Sequence, residues 1–174
     1  MQLKHLFLAA FLASAASTDA VGDEMAPADV AKFAAAWPVI AAGLTKADPE
    51  FDPTMTSVLE SQLQEMAASD SKDSQLDRVV FAQGYADFET FAALSSRILT
   101  AARWAKNPPD QADLEAALSA INAGPERSAD DKAALAASLK TAFEKAVAAK
   151  PADKDIATVR DQLAAIERAV LAQP

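Results

Sequence analysis

FETFAALSSRILTAARW, residues 88–104, decides how this chain folds. Phe88, Phe91, Ser95, Ile98 and Ala102 recur at alternating steps of three and four, and Leu94, Leu99 and Trp104 widen the same apolar stripe. That spacing is the 3.6-residue period of an amphipathic helix; a strand would alternate at every second position. Downstream, Asn107-Pro108-Pro109 withdraws backbone donors and ends the run. The pattern therefore predicts a helix over 87–106.

The same period extends in both directions. Val30, Phe33, Trp37, Ile40 and Leu44 predict a first helix that Pro38 kinks or splits. Asp52-Pro53 reads as an N-cap followed by proline at the first helical position, with Met55, Val58, Leu59, Gln62 and Met66 on one face. Ser69 to Ser74 reads as a polar loop. A third helix starts near Ser74, carries Leu76, Val79 and Val80 inward, and breaks or bends at Gly84. Beyond the central helix, Leu114, Leu118 and Ile121 predict a short helix over 109–122, closed by Ala123-Gly124-Pro125. Ser128 with Asp131 at the third position starts another, with Leu135, Leu139, Phe143 and Val147 inward. The last helix is expected over 152–172, where Ile156, Val159, Leu163, Ile166 and Val170 follow heptad spacing. That seam lasts about two heptads, too few for a coiled-coil dimer and enough for packing inside a bundle. With only 4 Gly and an alanine-rich composition, the expected fold is all-α. It is an antiparallel helical bundle of about six to seven helices, whose last two long helices, joined around Pro151, form a C-terminal hairpin.

The N-terminus reads as an address. Lys4 supplies a positive charge, Leu6 to Leu12 is continuously apolar, and small residues follow through Ser17. This is the order of a secretory signal peptide, expected over 1–20 and cleaved after Ala15 or Ala20. The apolar run falls well short of the roughly 20 residues that span a bilayer. No later stretch is apolar for long enough to span a membrane either, so no membrane span is expected. Residues 21–174 then form one helical-bundle domain. The chain lacks cysteine, so it has neither a lipid-attachment cysteine nor a disulfide, and it has no Asn-X-Ser/Thr sequon. These features point to a bacterial periplasm.

Charge and residue inventory narrow the chemistry. The chain holds 16 basic and 25 acidic residues, net −9, and removal of residues 1–20 takes one of each sign. Such a surface repels phosphate backbones and anionic lipids, so no nucleic-acid partner is expected. The single histidine, His5, lies in the leader. A processed chain without imidazole or thiol cannot build a Ser-His-Asp triad, a Cys-His pair, a Cys/His zinc site or a Glu-X-X-His iron site. Glycine-rich phosphate cradles are missing as well. Asp70, Asp73 and Asp77 lack the glycine and terminal glutamate of a calcium loop and read as an acidic helix start. Ser95 and Ser96 have no nearby lysine, and Ser95 reads as a small residue on a packed face, bonding back to the Phe91 carbonyl. Asp130-Asp131 and Glu60 with Glu65 read as helix-dipole partners and surface charge. No catalytic, cofactor-binding or metal-ligating residue is expected, and no enzyme activity.

The residues that reach beyond packing are Trp37, Tyr85, Phe88, Arg97, Arg103 and Trp104. Phe88 and Phe91 read first as core. Tyr85 and Trp104 would line a groove, Arg97 or Arg103 would orient an anionic group or a partner carboxylate, and Trp37 beside Pro38 would form another wall. The signal peptide together with this aromatic segment resembles small exported all-α proteins of Gram-negative bacteria. The resemblance implies a periplasmic helical bundle and assigns no residue a role. Two functional expectations follow. The first is a non-enzymatic envelope accessory, adaptor or chaperone-like protein acting through contacts with another envelope protein. The second is a carrier of a small apolar or amphiphilic ligand between helices.

Overall fold

A computed structural model describes residues 25–53, 58–69, 74–124 and 128–171. The described residues are all-helical: α1 Pro27–Ala47, α2 Leu59–Ser69, α3 Gln75–Phe81, α4 Phe88–Lys106, α5 Gln111–Ala123, α6 Ala129–Ala148, α7 Asp153–Arg160 and α8 Leu163–Leu171. A helical bundle is what the sequence predicts, and the described residues hold eight helices because the expected terminal helix is two.

Capping chemistry sets most of the boundaries. Pro27 occupies the first turn of α1, and the Asp29 carboxylate accepts the Ala26 N–H at 2.9 Å. Ser74, Asp87, Asp110 and Ser128 each accept a first-turn N–H through their side chains, opening α3, α4, α5 and α6. α3 closes through turns into Gly84, whose φ of +79° lies in the left-handed region that favours glycine. Helix α1 runs through Pro38 without splitting. The missing proline N–H is tolerated because the helix is anchored on both sides, by Phe33 and Trp37 before it and Ile40 and Leu44 after it, all fully buried.

Two boundaries differ from expectation. Asp52-Pro53 do not open α2, which begins at Leu59. Phe51 is buried just ahead of them and its N–H binds the Asp48 carbonyl, so the chain there is still closing off α1. Met55 lies outside the described residues. The expected last helix is interrupted at Asp161 and Gln162. The Gln162 side chain donates to the Pro27 carbonyl at 2.8 Å, while its own carbonyl accepts from Ala165 and Ile166. The break lets α7 pack on α4 and α8 pack on α1.

By their internal contacts the helices fall into two compact units. The larger holds α1 to α4, α7 and α8. Within it α4 is the hub, packed by α2, α3, α7 and α8, and α1 packs on α3, α7 and α8. The hydrophobic core lies wholly in this unit, around Phe33, Trp37, Phe88, Phe91, Leu59, Leu63 and Ile98. The smaller unit, within Pro108–Lys150, is the pair α5 and α6. The helical pair is therefore α5 with α6. α7 and α8 face the larger unit's core through Val159, Ile166 and Val170.

Candidate functional site

α4 is packed by four other helices, α2, α3, α7 and α8. Its apolar face meets α1 in an aromatic cluster centred on Phe91. Trp37 and Phe33 stack on Phe91 at 6.3 and 6.5 Å, Phe88 lies at 6.0 Å, and Tyr85 meets it edge-on at 5.0 Å. These separations fall in the range of favourable aromatic pairs. Tyr85 is also covered on its face by the Lys32 ammonium, 4.1 Å from the ring centroid, and Lys32 donates to the Gly84 carbonyl at 2.6 Å. The left-handed turn at Gly84 thus aims its carbonyl at Lys32 and lets Tyr85 follow into the core.

Trp37, Tyr85 and Phe88 are therefore gathered in one buried cluster. Three polar atoms associated with it have no hydrogen-bond partner: Trp37 Nε1, Tyr85 Oη and Ser95 Oγ. Ser95 does not make the expected bond to the Phe91 carbonyl. Burial, with the Asp29 charge added, pushes the Tyr85 phenol up to about 12.

The flanks of this apolar face carry charge. Arg97 forms a two-pronged pair with Asp155 at the start of α7, Nε to Oδ2 at 2.6 Å and Nη2 to Oδ1 at 3.0 Å, and Asp155 is only 4% exposed. Arg103 donates to Glu60 of α2 at 3.0 Å. Burial raises the Glu60 carboxyl above its ordinary value, outweighing the opposing effects of Arg103 and the Thr100 hydroxyl. Gln64 donates to Ser96 at 3.0 Å, a further polar link along the α2–α4 seam. Lys106 pairs with Glu167 of α8 at 2.5 Å. So the two arginines expected to meet an external anion each hold a carboxylate of this chain, fixing neighbouring helices to α4.

Trp104 is half-buried, its indole N–H enclosed without a partner, and no ring contact joins it to the Phe91 cluster. Asp77 is not a surface acid: it accepts the Phe88 N–H at 2.8 Å and ties α3 to the start of α4. Asp70 and Asp73 lie outside the described residues. One contributor escaped the sequence reading, Asp155, and Glu60, expected as surface charge, is instead drawn in against Arg103. Asp155 stood next to Ile156 and four residues before Val159, on the apolar stripe itself; a charge there signals a buried partner. Among the described residues no group of His, Cys, Asp and Glu is placed to hold a metal ion, and no helix is long and apolar enough to cross a membrane. No protein-family model, curated protein or solved structure matches this chain.

Proposed function

We propose that this chain is a non-enzymatic periplasmic protein that acts through contact with another envelope protein, as an adaptor or chaperone-like factor. Phe81 carries the reading. It is 71% exposed at the end of α3, in a chain with few aromatics, while Val39 of α1 is 57% exposed on the helix that α3 packs against. Leaving a phenylalanine in water forgoes about 2 kcal/mol that burial would return, a cost that a partner's apolar segment would recover. Arg97, Arg103 and Lys106 of α4 are engaged in holding helices together, which suits a scaffold whose working surface is apolar.

The test is co-purification from envelope extracts together with suppression of client aggregation and binding of a hydrophobic dye. Replacement of Phe81 by serine should lower all three while leaving helicity intact. Full activity of that variant, or absence of any partner and any dye binding, overturns the proposal.

A second reading, carriage of a small amphiphilic ligand, draws on the unpartnered Trp37, Tyr85 and Ser95 atoms beside Phe91. Each would gain a hydrogen bond that the packed core denies it. Native mass spectrometry of gently extracted protein should then show a defined small adduct that changes tryptophan fluorescence on release; bare protein throughout counts against carriage.

A further inference from the structure

The α5–α6 pair is built as an amphipathic unit that buries little of its apolar surface. α5 carries Leu114, Leu118 and Ile121 at helical spacing, yet none of its residues is buried. α6 buries only Leu139 and Ala146, leaving Leu135 37% and Val147 46% exposed. None of these residues belongs to the hydrophobic core, which lies entirely in the larger unit. Two helices present one apolar stripe each and need a further layer to cover both. Helices of this length gain most of their stability from such packing.

Charge argues for what that layer is. Residues 108–150 contain seven acidic and five basic residues, so this segment holds only −2 of the chain's −9. Two identical copies repel one another least where each is nearly neutral. The signs are also segregated. Asp110, Asp113 and Glu115 lie at the beginning of α5, a helix with no basic residue, whereas the later part of α6 and its end carry Lys140, Lys145 and Lys150 against Glu144 alone. Laying α5 of one copy along α6 of another sets acid against base at both ends of a two-fold arrangement.

We propose that the face of α5 and α6 carrying Leu118, Leu135 and Val147 is a self-association surface, and that two copies of this chain close it into a four-helix bundle. Alanines between the larger residues permit close helix approach, and a pair of two-helix units is the smallest symmetric arrangement that covers both stripes. This surface is separate in sequence from Phe81, so self-association and partner contact fail independently.

Sedimentation equilibrium of the protein, expressed with its own N-terminal segment so that any processing occurs, tests the proposal over roughly 1–100 µM, a range that resolves moderate affinities. The expected result is a mass that rises from one chain to two. Leu135 and Val147 are exposed, so L135E with V147E should preserve helicity and Trp37 fluorescence while weakening the association at least tenfold; F81E should leave it unchanged. A wild-type protein that stays monomeric over the whole range overturns the proposal. So does a dimer that survives the double substitution or is lost with F81E.

Discussion

Arg97 and Arg103 point to different neighbours from α4 and do similar work: each pairs with a carboxylate that packing has withdrawn from water. Removing one partner of such a pair leaves the other charge poorly solvated. Asp155→Ala should therefore cost about 2 kcal/mol in urea unfolding, less than for a fully buried pair because Arg97 keeps some contact with solvent. Arg97→Met combined with Asp155→Leu should cost less than the two single changes added. Strict additivity in that cycle would mean the pair is not coupled. Glu60 carries a pH signature whose sign follows from its environment. Its folded-state carboxyl is raised by burial, so its contribution to stability is full below the unfolded value and is lost as pH rises through the folded one. Glu60→Gln should thus be at least as stable as the parent at neutral pH and flatten the stability profile on the acid side; a clear loss at neutral pH would show that Arg103 outweighs desolvation. Tyr85 offers the most direct check, because the chain has one tyrosine. Its tyrosinate absorbance should titrate near 12, with its contribution to stability present below the ordinary value of 10.0 and lost as pH climbs through the folded one. Tyr85→Phe, which deletes an unpartnered hydroxyl, should be neutral or stabilising by up to about 1 kcal/mol. At this scale the sequence showed which residues were unusual but not their partners: Arg97 and Asp155 lie 58 positions apart, and helical periodicity carries no information across that separation.

Single elements show why local pattern succeeded where it did. α4 was legible almost residue by residue because its stripe is long, its N-cap is an aspartate and its end is a double proline. The break between α7 and α8 was not legible, since apolar spacing continues across Asp161 and Gln162 and the interruption comes from a distant carbonyl at Pro27. Two glycines make the same contrast measurable. Gly84 is required by its own backbone: alanine at φ +79° should cost about 1–2 kcal/mol and loosen the Lys32–Tyr85 contact. Gly43 is required by a neighbour, since a Cβ there would lie 2.6 Å from Val79 Cγ1 on α3. Gly43→Ala should destabilise by about 1–3 kcal/mol through overpacking, and Val79→Ala in the same chain should return much of it. Thermal unfolding of both single variants and the pair decides this; absence of rescue would mean that α1 and α3 shift apart without cost.

At the scale of the whole molecule, the larger unit is interrupted in sequence by the α5–α6 pair yet keeps every residue of the hydrophobic core. Prolines mark both junctions, Pro108-Pro109 on entry and Pro151 on exit, so the inserted pair begins and ends where helices cannot continue. Composition gave the all-helical class and its acidic character, but it could not show that the core omits the inserted segment, because α5 and α6 have the same alanine-leucine texture as the helices that are buried. The division makes a strong prediction. A chain in which residues 108–150 are replaced by a flexible linker of about ten Gly/Ser residues should still fold cooperatively, with Trp37 shielded as in the parent, because α1 to α4, α7 and α8 already enclose their apolar faces. The excised segment, studied alone as a peptide at low concentration, should show only marginal helicity, since two short helices without a covering layer do not offset the entropy of ordering them. Its helicity should rise with concentration if the pair associates through its own apolar stripes. Loss of cooperative unfolding in the shortened chain would mean that the core depends on the inserted helices for its own order.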